Sequence, residues 1–272
     1  MKVVYSPECL AYDTPGHPEN PERVLSIYRE MKAAGFSFTK CSPAEKKDIL
    51  LVHSDEYYEK IRKAAYTGFE TPPIDIKYPL LSAGATIKAS EVMGFALTRP
   101  PGHHAGRDTQ EGFCYFNSIA IAVRKLGKKT AILDIDVHHG NGTQSIFLGD
   151  SNVSYHSLHQ APLYPMSGLK SEGNCYNYPL FPDTDEATYI KTLEKALQVI
   201  ESRMPEVLAI SMGFDSYVKD PLAGQKITKE GYGKIGKMIK EMNIPSFVTL
   251  EGGYSPDIGK LAVRFFSALS SE

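Results

Sequence analysis

Asp134-Ile135-Asp136-Val137-His138-His139-Gly140-Asn141-Gly142 gathers two carboxylates and two adjacent imidazoles into one short stretch. The apolar run Thr130-Ala131-Ile132-Leu133 leads into it and Gly140-Asn141-Gly142 closes it, which reads as a buried strand running into a turn. Alternate side chains of a strand share a face, so Asp134, Asp136 and His138 are expected to point together at its end. Such groups in a core repel or stay unsatisfied unless a cation lies between them. A divalent metal meets that need, and a hydrogen-bonded structural cluster is the alternative. Asp215 follows the apolar run Val207 to Met212 through Gly213-Phe214 and adds a carboxylate from another strand end, although a turn or helix cap is its plainer reading. Asp136, His138 and Asp215 with an open position for water have the layout of a hydrolytic zinc site, and the oxygen-rich set also suits iron or another divalent ion. Six of the eight histidines lie between His103 and His159, and His103-His104 and His138-His139 are neighbours in pairs. A lone histidine is usually structural; pairs at successive strand ends are harder to read that way.

These residues need elements that bring them together. Short apolar strands (Lys2 to Ser6, Val92 to Thr98, Thr130 to Asp136, Val153 to Leu158, Val207 to Met212, Ser246 to Leu250) come between amphipathic segments. The expected helices are Arg23 to Ala34, Ser54 to Tyr66, Leu80 to Glu91, Phe116 to Leu126, Thr143 to Leu148, Glu186 to Arg203, Lys229 to Met242 and Asp257 to Leu269. The alternation predicts an α/β fold: an open, mostly parallel sheet with helices on both faces. Ligands in such folds bind beyond the carboxyl ends of the strands, where the unusual residues all fall. Gly68 to Pro79, with three prolines, is expected to be an exposed loop and a rim for the site.

The 272 residues and 42% hydrophobic content allow one large core, so a single domain over 1–272 is expected. A net charge of -2 supplies no field that would gather phosphate backbones, which argues against nucleic acid. Cys9, Cys41, Cys114 and Cys175 form no Cys-x-x-Cys pair, and no secretory or membrane segment is evident, so the expected location is the cytoplasm, away from membranes.

Six ordered blocks then carry a resemblance: Arg99-Pro100-Pro101-Gly102-His103-His104-Ala105, Gly112-Phe113-Cys114-Tyr115-Phe116-Asn117, Asp134 to Gly142, Ser157-Leu158-His159, Gly213-Phe214-Asp215-Ser216 with Asp220-Pro221, and Leu250-Glu251-Gly252-Gly253-Tyr254. The chain resembles the histone deacetylase superfamily, which includes acetylpolyamine amidohydrolases and acetoin-utilisation proteins. That resemblance implies an arginase-like deacetylase fold and zinc-dependent hydrolysis of an N-acetyl amide. It implies Asp136, His138 and Asp215 as metal ligands, His103 and His104 as the tandem catalytic histidines, and Tyr254 as the group that polarises the carbonyl. It further implies Gly112 and Phe113 as walls of the acyl channel, and a structural potassium site at Asp134, Asp136, His138, Ser157 and Leu158. Asp134 is thereby expected to orient His103 rather than to bind zinc, and Asn141 to face His104.

The chemistry asks for the same parts. Amide hydrolysis needs an activated water, a stabilised oxyanion and a proton for the leaving amine. A carboxylate beside His103 favours imidazolium, whereas the neutral Asn141 leaves His104 free to act as base and then acid. Tyr164-Pro165-Met166-Ser167-Gly168 departs from the family's aromatic-Pro-Gly-Thr-Gly and Ser118 from its second Asn, which bears on channel width. Leu222 stands where polyamine-selective relatives can carry Glu, so rim charge would have to come from Glu70 or Asp75. The expected substrate is acetylated lysine in a peptide or protein, or a small acetylated amine. An acetylpolyamine or other small-molecule amidohydrolase is one alternative, and an inactive metal-binding regulatory module is another.

Overall fold

The computed structural model describes residues 1–64 and 70–270. Among the described residues eight strands, β1 (Val3–Tyr5), β2 (Phe38–Thr39), β3 (Phe95–Leu97), β4 (Thr130–Asp134), β5 (Val153–Gln160), β6 (Cys175–Leu180), β7 (Val207–Met212) and β8 (Ser246–Leu250), form one sheet. Their order is β2-β1-β3-β8-β7-β4-β5-β6, and each neighbouring pair is parallel. The helices are α1 (Pro21–Ala33), α2 (Lys46–Ile49), α3 (Asp55–Arg62), α4 (Lys77–Val92), α5 (Ser118–Leu126), α6 (Asn141–Phe147), α7 (Glu186–Ser202), α8 (Lys229–Glu241) and α9 (Ile258–Ser270).

Strands β4 and β7 are buried at every position. Continuous apolar strands of that kind are what a sheet covered on both faces requires. Ala131 and Leu133 with Leu208, Ile210 and Met212 enter one core, under α1, α7, α8 and α9. Ile132 with Val207 and Ala209 enters the other, beneath α4 and α5. Local chemistry sets the helix starts: Asn20 accepts from Glu22 N ahead of Pro21, and Asp185 accepts from Thr188 N, each satisfying a donor that the first turn leaves free.

Several boundaries differ from the sequence expectation. Strands β2 and β6 were not foreseen; one has two residues and the other carries alternating exposure at the sheet edge, too little apolar signal to stand out. Helix α4 starts at Lys77, ahead of Pro79, because a first-turn proline forfeits no helical hydrogen bond. Strand β4 ends at Asp134, so Asp136 and His138 sit in a bend and not on a strand face. Helix α6 begins at Asn141, two residues early. Of the expected helix Ser54 to Tyr66, Ser54 is the cap of α3, and Ala65 and Tyr66 lie outside the described residues. Gly68 and Phe69 of the expected exposed loop also lie outside them. The same loop buries Thr71, whose Oγ1 accepts from Phe113 N at 3.2 Å.

Candidate functional site

Strands β3, β8, β7, β4 and β5 are consecutive in the sheet, so the loops at their carboxyl ends share one rim. Asp136 and His138 come from the bend after β4, and Asp215 from the loop after the adjacent β7. One ligand atom of each lies within 4.8 Å of the others. Asp136 Oδ1 faces His138 Nδ1 at 3.0 Å and accepts from His138 N at 2.9 Å, while its Oδ2 accepts from Gly252 N at 2.7 Å. Asp215 Oδ1 accepts from Val137 N at 2.9 Å. Asp215 Oδ2 is buried and accepts no hydrogen bond among the described residues; His138 Nδ1 stands 3.3 Å away but is aimed at Asp136. An unsatisfied buried carboxylate oxygen is costly, and here it faces a second carboxylate and an imidazole. Burial and the Asp136 charge both push Asp215 above the usual carboxylate range. Asp136 is held below it by His103 and His138, although burial opposes this. The donor set fits a divalent cation, which would satisfy the orphaned oxygen and offset the like charges.

His103 and His104 follow β3 through the turn at Pro100-Pro101-Gly102. His103 Nδ1 lies 3.2 Å from Asp134 Oδ2, and His104 Nδ1 lies 2.8 Å from Asn141 Oδ1. Burial disfavours charge on His103, but the Asp136 and Asp134 carboxylates outweigh it and push its pKa up to about 10. Burial, with His103 and His138 beside it, holds His104 well below the ordinary imidazole value. The two rings are thus electrostatically opposite although adjacent in sequence. Asp134 is committed elsewhere as well: its Oδ2 accepts from Tyr155 OH at 2.8 Å and its Oδ1 from Asp136 N at 3.2 Å. It lies outside the convergent trio, so strand alternation is not what assembles the ligands.

A cavity of 280 Å³ opens over these groups. Phe113, Gly112, Leu222 and Tyr254 line it, with His103, His104, Asp136 and His138. Gly112 has φ +56°, and a Cβ there would stand 2.2 Å from His104 Cδ2, so only glycine lets the wall approach the imidazole. The Phe113 ring meets the Tyr254 ring edge-on with centroids 6.0 Å apart. Glu70 also lines the cavity, whereas Asp75 faces Lys77. Ser157 and Leu158 are fully buried in β5, with Ser157 in register opposite Asp134.

Three groups at the site were not foreseen. Arg23, from α1, donates through Nε to Gly253 O at 2.6 Å and through Nη2 to Glu251 O at 2.5 Å, and its guanidinium lies 4.7 Å from the Tyr254 ring centroid. The Gly252-Gly253 approach to Tyr254 is therefore anchored rather than flexible. Tyr155 holds Asp134, and Glu111 accepts from Asn141 Nδ2 at 2.5 Å. Arg23 is one of several basic residues on an amphipathic helix, and nothing local in the sequence marks it. Glu111 stands directly before the Gly112-Phe113 motif, which was its one signal.

Comparison with known proteins identifies the family and the fold. Residues 17–269 match the model of the family described as "Histone deacetylase domain". A protein of Methanothermobacter thermautotrophicus called "Probable deacetylase" is 35% identical over 302 residues, covering 100% of this chain and 91% of its own. The solved HDA15 HD domain superposes with a TM-score of 0.93 at 29% identity, covering 100% of this chain and 89% of that one. Acetylpolyamine aminohydrolase from Burkholderia pseudomallei does so with a TM-score of 0.89 at 25% identity, covering 100% and 99%. With the family model matched over residues 17–269 and a relative 35% identical across the whole chain, the chain belongs to the histone deacetylase family of deacetylases and acetylpolyamine amidohydrolases.

Proposed function

We propose that this chain is a zinc-dependent hydrolase that removes acetyl or other acyl groups from acyl-lysine or related N-acetylated amines. The observation that carries the reading is the buried, unpartnered Asp215 Oδ2 set against Asp136 and His138 at the floor of a cavity that also presents His104 and Tyr254. Asp136, His138 and Asp215 would hold the ion. Zinc, or iron or another divalent ion in its place, supplies Lewis acidity toward a carbonyl oxygen and toward water. His104, kept neutral, takes the proton of the attacking water and later gives it to the leaving amine as the C–N bond breaks. His103 stays imidazolium against Asp134 and stabilises the negative charge that develops nearby. Tyr254 donates its phenol to the oxyanion. Phe113, Gly112 and Leu222 enclose the alkyl chain and exclude water from it.

The reading includes a structural potassium ion served by Asp134, Asp136, His138, Ser157 and Leu158, supported by the fully buried Asp134 carboxylate and its register with Ser157. It also includes one deacetylase domain over 1–272, for which the single sheet speaks, and a cytoplasmic setting, for which the four free cysteines speak. No helix among the described residues is long and apolar enough to cross a membrane.

Metal content and turnover of an acetyl-lysine peptide, before and after chelation and after zinc or iron is restored, test the proposal. Turnover should vanish with the metal and return with it. A fully metal-loaded protein that is silent across a panel of acyl-lysine peptides and N-acetylated amines would sink the proposal. One observation favours the small-molecule reading: the Glu70 carboxylate on the cavity wall would suit a cationic amine. Faster turnover of acetylpolyamines than of acetyl-lysine peptides, reduced by Glu70→Gln, would decide for it.

A further inference from the structure

We propose that Glu111 is a positioning residue for this reaction: it dictates which way the Asn141 amide faces, and through that amide which ring nitrogen of His104 is left bare. The inference rests on the reading of His104 as the base. An asparagine offers an acceptor on one side and a donor on the other, and rotation by half a turn exchanges them. Here Glu111 Oε1 stands 2.5 Å from Asn141 Nδ2, and an ionised carboxylate can only accept. The NH2 side is therefore held toward Glu111, and Asn141 Oδ1 is turned to His104 Nδ1 at 2.8 Å. Facing an acceptor, Nδ1 must carry the hydrogen, so Nε2 keeps the lone pair that a base needs. The reversed amide would present a donor to Nδ1, move the hydrogen to Nε2 and leave nothing to receive a proton from water. His103 needs no such partner, because its neighbour Asp134 is a carboxylate and accepts whichever way it turns. Glu111 thus provides, one residue removed, the direction that an amide lacks by itself. The second oxygen of Glu111 lies 3.4 Å from Tyr164 OH, and the Tyr164 ring lies edge-on to His104 with centroids 5.2 Å apart.

The test compares wild type, Glu111→Ala, Glu111→Gln, Asn141→Asp and the double variant Glu111→Ala with Asn141→Asp, all zinc-loaded, on one acetyl-lysine peptide. Removing Glu111 from the Asn141 enzyme should lower kcat at least about tenfold, a fraction of the ~10²–10⁴ that a general base supplies, with KM little changed. Glu111→Gln, which can still accept through its carbonyl, should recover most of that loss. In the Asn141→Asp background, removing Glu111 should cost nothing or raise kcat, since an aspartate needs no orientation and two facing carboxylates repel. Nitrogen-15 NMR of the histidine rings supplies a readout independent of turnover: His104 should be the Nδ1–H tautomer in wild type and a mixture of tautomers in Glu111→Ala. Equal loss in both backgrounds, or His104 wholly Nδ1–H without Glu111, overturns the proposal. Wild-type silence on every acyl substrate would overturn the functional reading instead, and the ring tautomers would still decide the part played by Glu111.

Discussion

Gly252→Ala removes no functional group, so whatever it does must come from geometry. A Cβ at this position would stand 2.2 Å from Asp215 Oδ2 and 2.6 Å from Asp136 Oδ2. Side-chain carbons are essentially never closer than 3.0 Å to such neighbours, so the Asp215 oxygen must retreat by about 0.8 Å and the Asp136 oxygen by about 0.4 Å. Ligand distances tolerate only about 0.2 Å, which makes these shifts two- to fourfold too large for an intact ion site. Crowding of this kind costs about 1–3 kcal/mol of stability. The larger effect should be on the metal. At a free metal concentration about 100 times Kd, binding adds about 2.7 kcal/mol to stability, and a hundredfold weaker site leaves about 0.4 kcal/mol. At about 2 °C per kcal/mol for a chain of this size, chelation should lower the wild-type Tm by about 5 °C and the variant's by about 1 °C. The assay is thermal unfolding with and without chelator, alongside metal content and acetyl-lysine turnover. A Gly252→Ala protein with full metal content, a wild-type response to chelator and wild-type kcat would show that Asp136 and Asp215 do not share an ion.

Tyr254→Phe should lower kcat by about 10²-fold, the ~3 kcal/mol of one oxyanion donor, while KM and Tm stay near wild type; steady-state kinetics checks it, and an unchanged kcat removes Tyr254 from the reaction. Arg23→Met leaves the buried Glu251 and Gly253 carbonyls without their donors, and at about 1–3 kcal/mol each the urea unfolding free energy should fall by about 2–6 kcal/mol with a drop in kcat. Arg23 Nη1 also pairs with the buried Glu19 Oε1 at 3.0 Å, and Glu19 keeps its two contacts to Arg99 when that pair is lost; a fall under about 1 kcal/mol would mean the anchoring role is misjudged. His53 is buried away from the metal trio, accepting from Asn117 N at 3.0 Å, and burial lowers its pKa to about 4. Because the folded value lies below the unfolded one, its contribution is complete above pH 6.5 and is lost as the pH falls toward 4, by about 2 kcal/mol at pH 5. Urea titrations at pH 7 and pH 5 should therefore show a smaller acid penalty for His53→Gln than for wild type, and equal penalties would contradict the assignment.

How much of this could be read without coordinates depends on the range of the interaction. The alternation of short apolar strands with amphipathic helices predicts a parallel sheet, and the placing of Asp136, His138, Asp215 and Tyr254 just past strand ends predicts a shared rim. Both follow from local periodicity and from the fixed direction of parallel crossovers. The unequal neighbours of His103 and His104 were implied only by the family resemblance, which sets one against Asp134 and the other against Asn141; given those neighbours, opposite charge states follow because a carboxylate and an amide differ in chemistry. Strand alternation misled at the metal site itself, where β4 stops at Asp134 and a bend, not a pleat, aims Asp136 and His138. Edge strands β2 and β6 left no pattern because the sheet edge demands little apolar surface of them. Arg23 reaching Gly253 across 230 positions, Gly252 pressed against two carboxylates, and Glu111 turning the Asn141 amide were decided by packing alone. Sequence periodicity specifies which face of an element is buried. Which atoms meet across the interior depends on the close-packed fit of elements far apart in the chain, and that fit exists only in the folded protein.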